Sequence, residues 1–191
     1  VPAAAPPARP KPRQAPQPAS SGIVSTRLRP WLEIEFTPTR AVVDREKAAV
    51  EFELSLFNSG SADARNVLIE GWLTNASAHQ DQQIRTFFDN PTAKGDRIPV
   101  IAPLQRIALK NAVFLPLTEL RPLEIEGRQL FVPMVAFNAL YGWSRGEGQT
   151  STSYLVGKVG KSDKLGAFRM DQGPRLFRGL AAREHEIRVR N

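Results

Sequence analysis

Residues 49–73 alternate apolar and polar positions more regularly than any other stretch of the chain. Val50, Phe52, Leu54 and Leu56 are separated by Glu51, Glu53 and Ser55, and a period of two places the two sets on opposite faces of a strand. Phe57 interrupts the alternation just before Asn58-Ser59-Gly60-Ser61, residue types that tolerate left-handed backbone and bond back to the nearby main chain. Beyond the small Ala64, the residues Val67, Ile69, Gly71 and Leu73 share one face of a returning strand, and Leu68 and Trp72 take the other. The pattern predicts a hairpin of two long strands around which the rest of the chain is organised.

Upstream, Leu32, Ile34 and Phe36 share a face of a strand that Pro38 is expected to end, with residues 41–43 as a short continuation. Residues 77–90 change period. Ile84, Phe87 and Phe88 fit a short amphipathic helix stopped at Asn90-Pro91, expected to plug one end of the sheet body. Lys94-Gly95-Asp96 reads as a turn, and Ile98, Val100 and Ile101 lead to a long strand carrying Ile107, Leu109, Val113 and Leu115. Residues 129–141 are the most apolar run, too short to cross a bilayer and expected to be one central strand buried on both faces. A glycine-rich loop follows at 142–148, and residues 149–159 return as its hairpin partner. After Gly160 the pattern weakens, although Ile187 and Val189 still alternate. Seven or eight strands, frequent turn signals and one short helix predict an all-β, immunoglobulin-like sandwich. The expected divisions are a Pro/Ala-rich basic linker at 1–27, the sandwich at 28–160, and a basic extension at 161–191 that packs back on the body.

Composition sharpens the two ends. The chain has 191 residues, suited to one domain of about 150 residues plus tails. Residues 1–22 hold seven of its sixteen prolines among Ala, Gln, Ser and basic residues, the composition of an extended, semi-stiff tether. We expect an anchor or leader upstream of Val1, outside this chain. There are no cysteines, hence no disulfide or thiolate chemistry. The net charge of +7 is uneven: residues 1–31 carry five basic side chains and no acid, and residues 164–191 carry seven basic against three acidic. A nucleic-acid-binding domain concentrates basic groups on the folded face that meets the phosphates. A near-neutral body with basic ends argues against specific nucleic-acid binding and suits contact of those ends with an anionic membrane surface.

The stretch Phe57-Asn58-Ser59-Gly60-Ser61-Ala62-Asp63-Ala64-Arg65-Asn66-Val67, preceded by an alternating strand, resembles the N-x-G…A-x-x-V segment of CARDB-like and related bacterial immunoglobulin-like domains. The region from Gly95-Asp96 to Pro103-Leu104 is similar to the strand and turn that follow in such modules. The resemblance covers about residues 30–158 and implies the sandwich fold. The whole pattern also resembles membrane-anchored alphaproteobacterial proteins, a likeness that implies no activity.

Candidate chemistry is sparse. Glu33 with Glu35, and Glu51 with Glu53, stand two apart on strands whose opposite faces are apolar. Each pair therefore lies on a solvated face, without the burial that raises the pKa of a general acid. His79 and His185 are far apart, and no zinc site is expected from them. Asn75-Ala76-Ser77 matches a glycosylation triplet, a pattern short enough to arise by chance. Trp31 and Trp72 are read as core. The best surface candidate is the loop of residues 141–147, where Tyr141, Trp143 and Arg145 offer two flat rings and a guanidinium. The expectation is a non-enzymatic periplasmic module without cofactor or metal, attached through an N-terminal segment and binding another envelope protein or an envelope component. The alternative is a carbohydrate-binding module using that loop.

Overall fold

A computed structural model describes residues 28–191; the expected linker at 1–27 lies outside the described residues. Among the described residues there are twelve strands and one helix. In chain order these are β1 (Leu32–Val43), β2 (Lys47–Asn58), β3 (Ala64–Asn75), α1 (Gln80–Asp89), β4 (Asp96–Ile101), β5 (Arg106–Pro116), β6 (Leu123–Ile125), β7 (Arg128–Phe131), β8 (Pro133–Trp143), β9 (Gly146–Lys158), β10 (Phe168–Arg169), β11 (Arg175–Phe177) and β12 (Leu180–Arg190).

One sheet has the order β11-β1-β2-β5, a second β12-β9-β8-β3-β4, and a small third β10-β7-β6. The two large sheets pack face to face over one core. Val50, Leu54 and Leu56 of β2 meet Val67, Ile69 and Leu73 of β3 and Val135 and Phe137 of β8. The rings of Phe36, Phe52 and Phe137 lie at its centre, with centroids 5.0–5.7 Å apart. The strands β1-β2-β5 over β4-β3-β8-β9 have the order of an immunoglobulin-like sandwich. These seven account for the expected count, and the rest extend the frame. The segment after Gly160 supplies strands to all three sheets, β10 beside β7, β11 beside β1 and β12 beside β9.

The hairpin expected from residues 49–73 is instead an arch between sheets. β2 is flanked by β1 and β5, and β3 by β4 and β8. Local alternation is the same for two strands that pair and for two that face each other across a core, so the partners distant in sequence decide. Asn58, fully buried, makes the crossing. Its Oδ1 accepts from the Trp31 N–H (3.1 Å) and the Gly60 N–H (3.0 Å). Its Nδ2 donates to the carbonyls of Ala62 (2.8 Å) and Ile101 (2.9 Å). All four hydrogen-bonding positions of the amide serve the main chain.

Two further expectations are corrected. β1 runs through Pro38, with its pairing to β2 shifting register between Pro38 and Arg40; a residue without an N–H fits where the ladder is broken. The apolar run at 129–141 divides at Val132-Pro133 into β7 and β8. Buried Asn75 pins the division by accepting the Val132 N–H (2.8 Å) and donating to the Arg121 carbonyl (2.6 Å), so the glycosylation triplet begins on an engaged asparagine. β8 is covered on both faces, as expected of a central strand.

The helix does not plug an end of the sandwich. It lies on the outer face of the five-stranded sheet, where Ile84 and Phe88 pack on Met134, Ala136 and Ile187 and Phe87 stacks on Trp72 at 5.7 Å. That outer face is apolar across several strands and needs a cover. The last carbonyls of a helix have no partner within it. Here those of Phe87 and Phe88 accept from the side-chain amides of Asn138 (3.2 Å) and Gln149 (2.9 Å).

β11 covers only residues 41–43 of β1, leaving the edge of its first half without a strand. Hydroxyls from the opposite sheet serve it: Thr150 donates to the Leu32 carbonyl (2.8 Å) and Tyr154 to that of Ile34 (3.3 Å). Burial, reinforced by the Glu184 and Glu35 carboxylates, holds the Tyr154 phenol above its ordinary pKa.

Two outcomes follow. Asn58→Ala should lower unfolding stability by roughly 3 kcal/mol in chemical denaturation, since it strands several buried main-chain groups at once; a loss under about 1 kcal/mol would show that the arch does not depend on them. For Tyr154, a folded pKa above the unfolded value gives a stability contribution present below about pH 10 and lost as pH rises beyond it. Tyr154→Phe should therefore be less stable than the wild type at pH 7, with the difference shrinking steadily through pH 11. Parallel pH profiles would contradict this.

Candidate functional site

The site begins where the described chain begins. Residues 29–31 run along the arch. The Ser61 N–H donates to the Arg29 carbonyl and the Ser59 N–H to the Trp31 carbonyl, both at 2.9 Å. The backbones approach so closely that a methyl group on Gly60 would lie 2.3 Å from the Arg29 carbonyl oxygen and 2.5 Å from the Trp31 nitrogen. Glycine is required here for space.

This approach stacks four side chains. The Arg29 guanidinium lies 4.2 Å from the ring centroid of Trp31 and 5.0 Å from that of Trp143. Arg190, at the end of β12, lies 4.4 Å from the Trp31 ring and 3.4 Å from the Glu33 carboxylate. The sequence Trp143–Arg29–Trp31–Arg190 alternates rings with cations, and each contact adds about 0.5–1 kcal/mol where exposed. Trp31 and Trp143 are both half-buried, so the expectation that Trp31 is a core residue is corrected: it belongs to a surface stack. Trp72 is also half-buried, against the helix.

Trp143 is held by the β8–β9 hairpin. Only Ser144 and Arg145 lie between the paired Trp143 and Gly146, so most of the expected glycine-rich loop is strand. None of its glycines has a left-handed φ; two instead make room for rings. A methyl on Gly146 would lie 3.0 Å from the Trp143 indole, and one on Gly148 2.7 Å from the Tyr141 ring. Tyr141 is only 3% exposed and belongs to the core. Thr150 already donates to Leu32, so the Tyr141 hydroxyl, 3.4 Å away, is placed to donate to Thr150 Oγ1. The expected pair of open rings is therefore reduced to one: Tyr141 is inside, Trp143 is at the surface, and Arg145 is exposed at the turn.

Leu28, Arg29, Trp31, residues 59–61, Trp143 and Arg145 line an open groove of about 810 Å³. Its lining contains two indoles and two guanidinium groups and no carboxylate. It can stack flat or apolar groups and hold anions. Trp143 and Arg145 were legible as candidates in the sequence. Arg29 and Trp31 were missed, although Arg-Pro-Trp beside the tether was a local signal. Arg190 carried none, being 159 residues from Trp31 in the chain.

The other candidates are occupied structurally. Glu51 pairs with Arg40, Glu35 with Arg106 (3.0 Å) and Glu53 with Lys110 (3.7 Å), all partly exposed. The hydrogen bond from Arg40 holds the Glu51 carboxyl below its ordinary pKa. Glu70 is buried, its Oε1 accepting from the Thr92 N–H (2.8 Å) and hydroxyl (3.0 Å) while its Oε2 has no partner among the described residues. His185 contacts Asp81 at 2.9 Å, joining β12 to the helix, while His79 stands at the helix start. Among the described residues no cluster of three His, Cys, Asp or Glu side chains could hold a metal ion. A second, shallower cleft of about 450 Å³ lies beside Trp72 and Phe87.

Comparison with protein-family models, curated proteins and solved structures finds no match to this chain.

Gly60→Ala should push residues 29–31 off the arch and loosen the stack. The expected results are a stability loss of about 1–3 kcal/mol and a red-shifted tryptophan emission in the native state. Unchanged emission and stability would show that the close approach is dispensable.

Proposed function

We propose that this protein is a non-enzymatic interaction module of the bacterial envelope, tethered on the extracytoplasmic side through the Pro/Ala-rich segment. Its working surface, in this reading, is the groove where that segment enters the sandwich. The observation that supports it best is the groove's chemistry. Half-buried indoles and stacked guanidinium groups offer recognition contacts, whereas the candidate acid–base carboxylates are engaged elsewhere in exposed ion pairs or in a buried structural bond. Aromatic and arginine side chains together are the residue types that dominate binding surfaces. The tether composition and the resemblance to bacterial immunoglobulin-like domains support the envelope assignment.

The test uses the complete gene product. A C-terminal alkaline phosphatase fusion, active only outside the cytoplasm, should be active, and a photo-crosslinker at position 145 should give a discrete adduct absent when it is placed at position 128, near the opposite end of the sandwich. A fusion active only as a cytoplasmic reporter would overturn the envelope assignment. Identical crosslinking at the two positions would overturn the groove as the working surface.

A further inference from the structure

We propose that the groove end of the sandwich docks onto an anionic lipid surface, with the indoles entering the headgroup layer and Arg145 leading the contact with lipid phosphates. This inference rests on the envelope reading above and names the component that the groove meets.

Three observations converge on it. First, both ends of the described chain reach the same pole. Leu28 and Arg29 lie beside the arch, and β12 finishes there, with Arg190 over Trp31 and the Asn191 main chain bonded in both directions to Gln149. Second, that pole combines half-buried indoles, a 57% exposed Leu28 and the guanidinium groups of Arg29, Arg145 and Arg190. Glu33 faces Arg190, but no acidic side chain lines the groove. Tryptophan settles at the level of lipid headgroups, and arginine near such a surface is drawn to its phosphates. Third, the preceding segment adds Arg9, Lys11, Arg13 and Arg27 and no acid. If it were to fill the groove itself, it would set cation against cation. An anionic surface complements both the groove and the segment that leads into it.

The stack gives the arginines a defined posture. Arg29 is committed inside the stack, its Nε donating to the Pro30 carbonyl (3.4 Å) and its Nη2 buried without a partner among the described residues. The edge open to a phosphate is therefore that of Arg145, exposed at the turn, whose fork of N–H donors fits a phosphate. The shared chemistry is a phosphate ester, and a soluble phosphate ester could supply it as well as a lipid. An extended acidic peptide offers carboxylates instead and is a different partner.

Co-sedimentation of the full chain with vesicles tests the proposal. Vesicles of phosphatidylcholine with a third phosphatidylglycerol should bind it, and vesicles of phosphatidylcholine alone should bind far less. Arg145→Ala, at an exposed turn with no structural partner to lose, should weaken binding about fivefold. Arg128→Ala, which removes the same charge beyond the opposite pole, should change it by less than about twofold. Equal losses would overturn the proposal by showing that net charge alone governs binding. In a Trp72→Phe background, where Trp31 and Trp143 remain, lipids brominated near the headgroup should quench the emission; absence of quenching would overturn indole entry. Displacement from vesicles by millimolar glycerol 3-phosphate, or tighter binding to a glutamate-rich decapeptide than to vesicles, would also overturn it. A chain that is exported yet ignores these vesicles would defeat this inference and leave the envelope assignment standing.

Discussion

One buried amide holds this architecture in register. Asn58 sits where the chain leaves one sheet for the other, and its four bonds reach residues from three different parts of the sequence. Through Trp31 it fixes where the chain enters the sandwich. Through Gly60 and Ala62 it shapes the arch, and through Ile101 it anchors the end of β4. A buried amide is costly to leave unsatisfied, so its partners must all be present together. The groove inherits its geometry from this requirement, because the strip of backbone that carries Arg29 and Trp31 is bonded to the arch on either side of Gly60.

The same economy of polar groups recurs elsewhere. Where β1 runs out of strand partner, Thr150 and Tyr154 reach across from the facing sheet. Where the helix runs out of internal partners, Asn138 and Gln149 complete it from the sheet beneath. Hydroxyls at inward positions of β9 and amides at outward positions of β8 and β9 thus join layers that hydrophobic packing alone would leave free to slide. Bonds of this kind account for the buried Thr150, Ser151 and Ser153 of β9, whereas the Thr152 hydroxyl is buried without a partner among the described residues.

The alternation of residues 50–56 and 67–73 made the strands and their inward faces legible, and the helix was legible from the spacing of Ile84, Phe87 and Phe88. What the alternation left open was which strand pairs with which. Whether residues 58–61 close a hairpin or an arch depends on β1, β5, β4 and β8, none of which is local. The seat of the helix was likewise hidden, since it depends on outward residues of strands as distant as β3 and β12. Of the site, Trp143 and Arg145 stood out because ring and charge sit beside glycines. Tyr141 shared that signal but lies two residues further into the strand, where Gly148 makes room for its ring inside the sandwich. Arg29, Trp31 and Arg190 become one feature only when the two chain ends meet.

That meeting has a kinetic side. The strand beside Val43 comes from residues near 175, and the cation over Trp31 comes from residue 190. Contacts this remote along the chain close large loops and form slowly. During synthesis the indole of Trp31 emerges 159 residues before the second guanidinium that lies over it. The stack of rings and cations is therefore completed only after β1 to β9 have been made, and a nascent chain that has not reached β12 carries those strands without it.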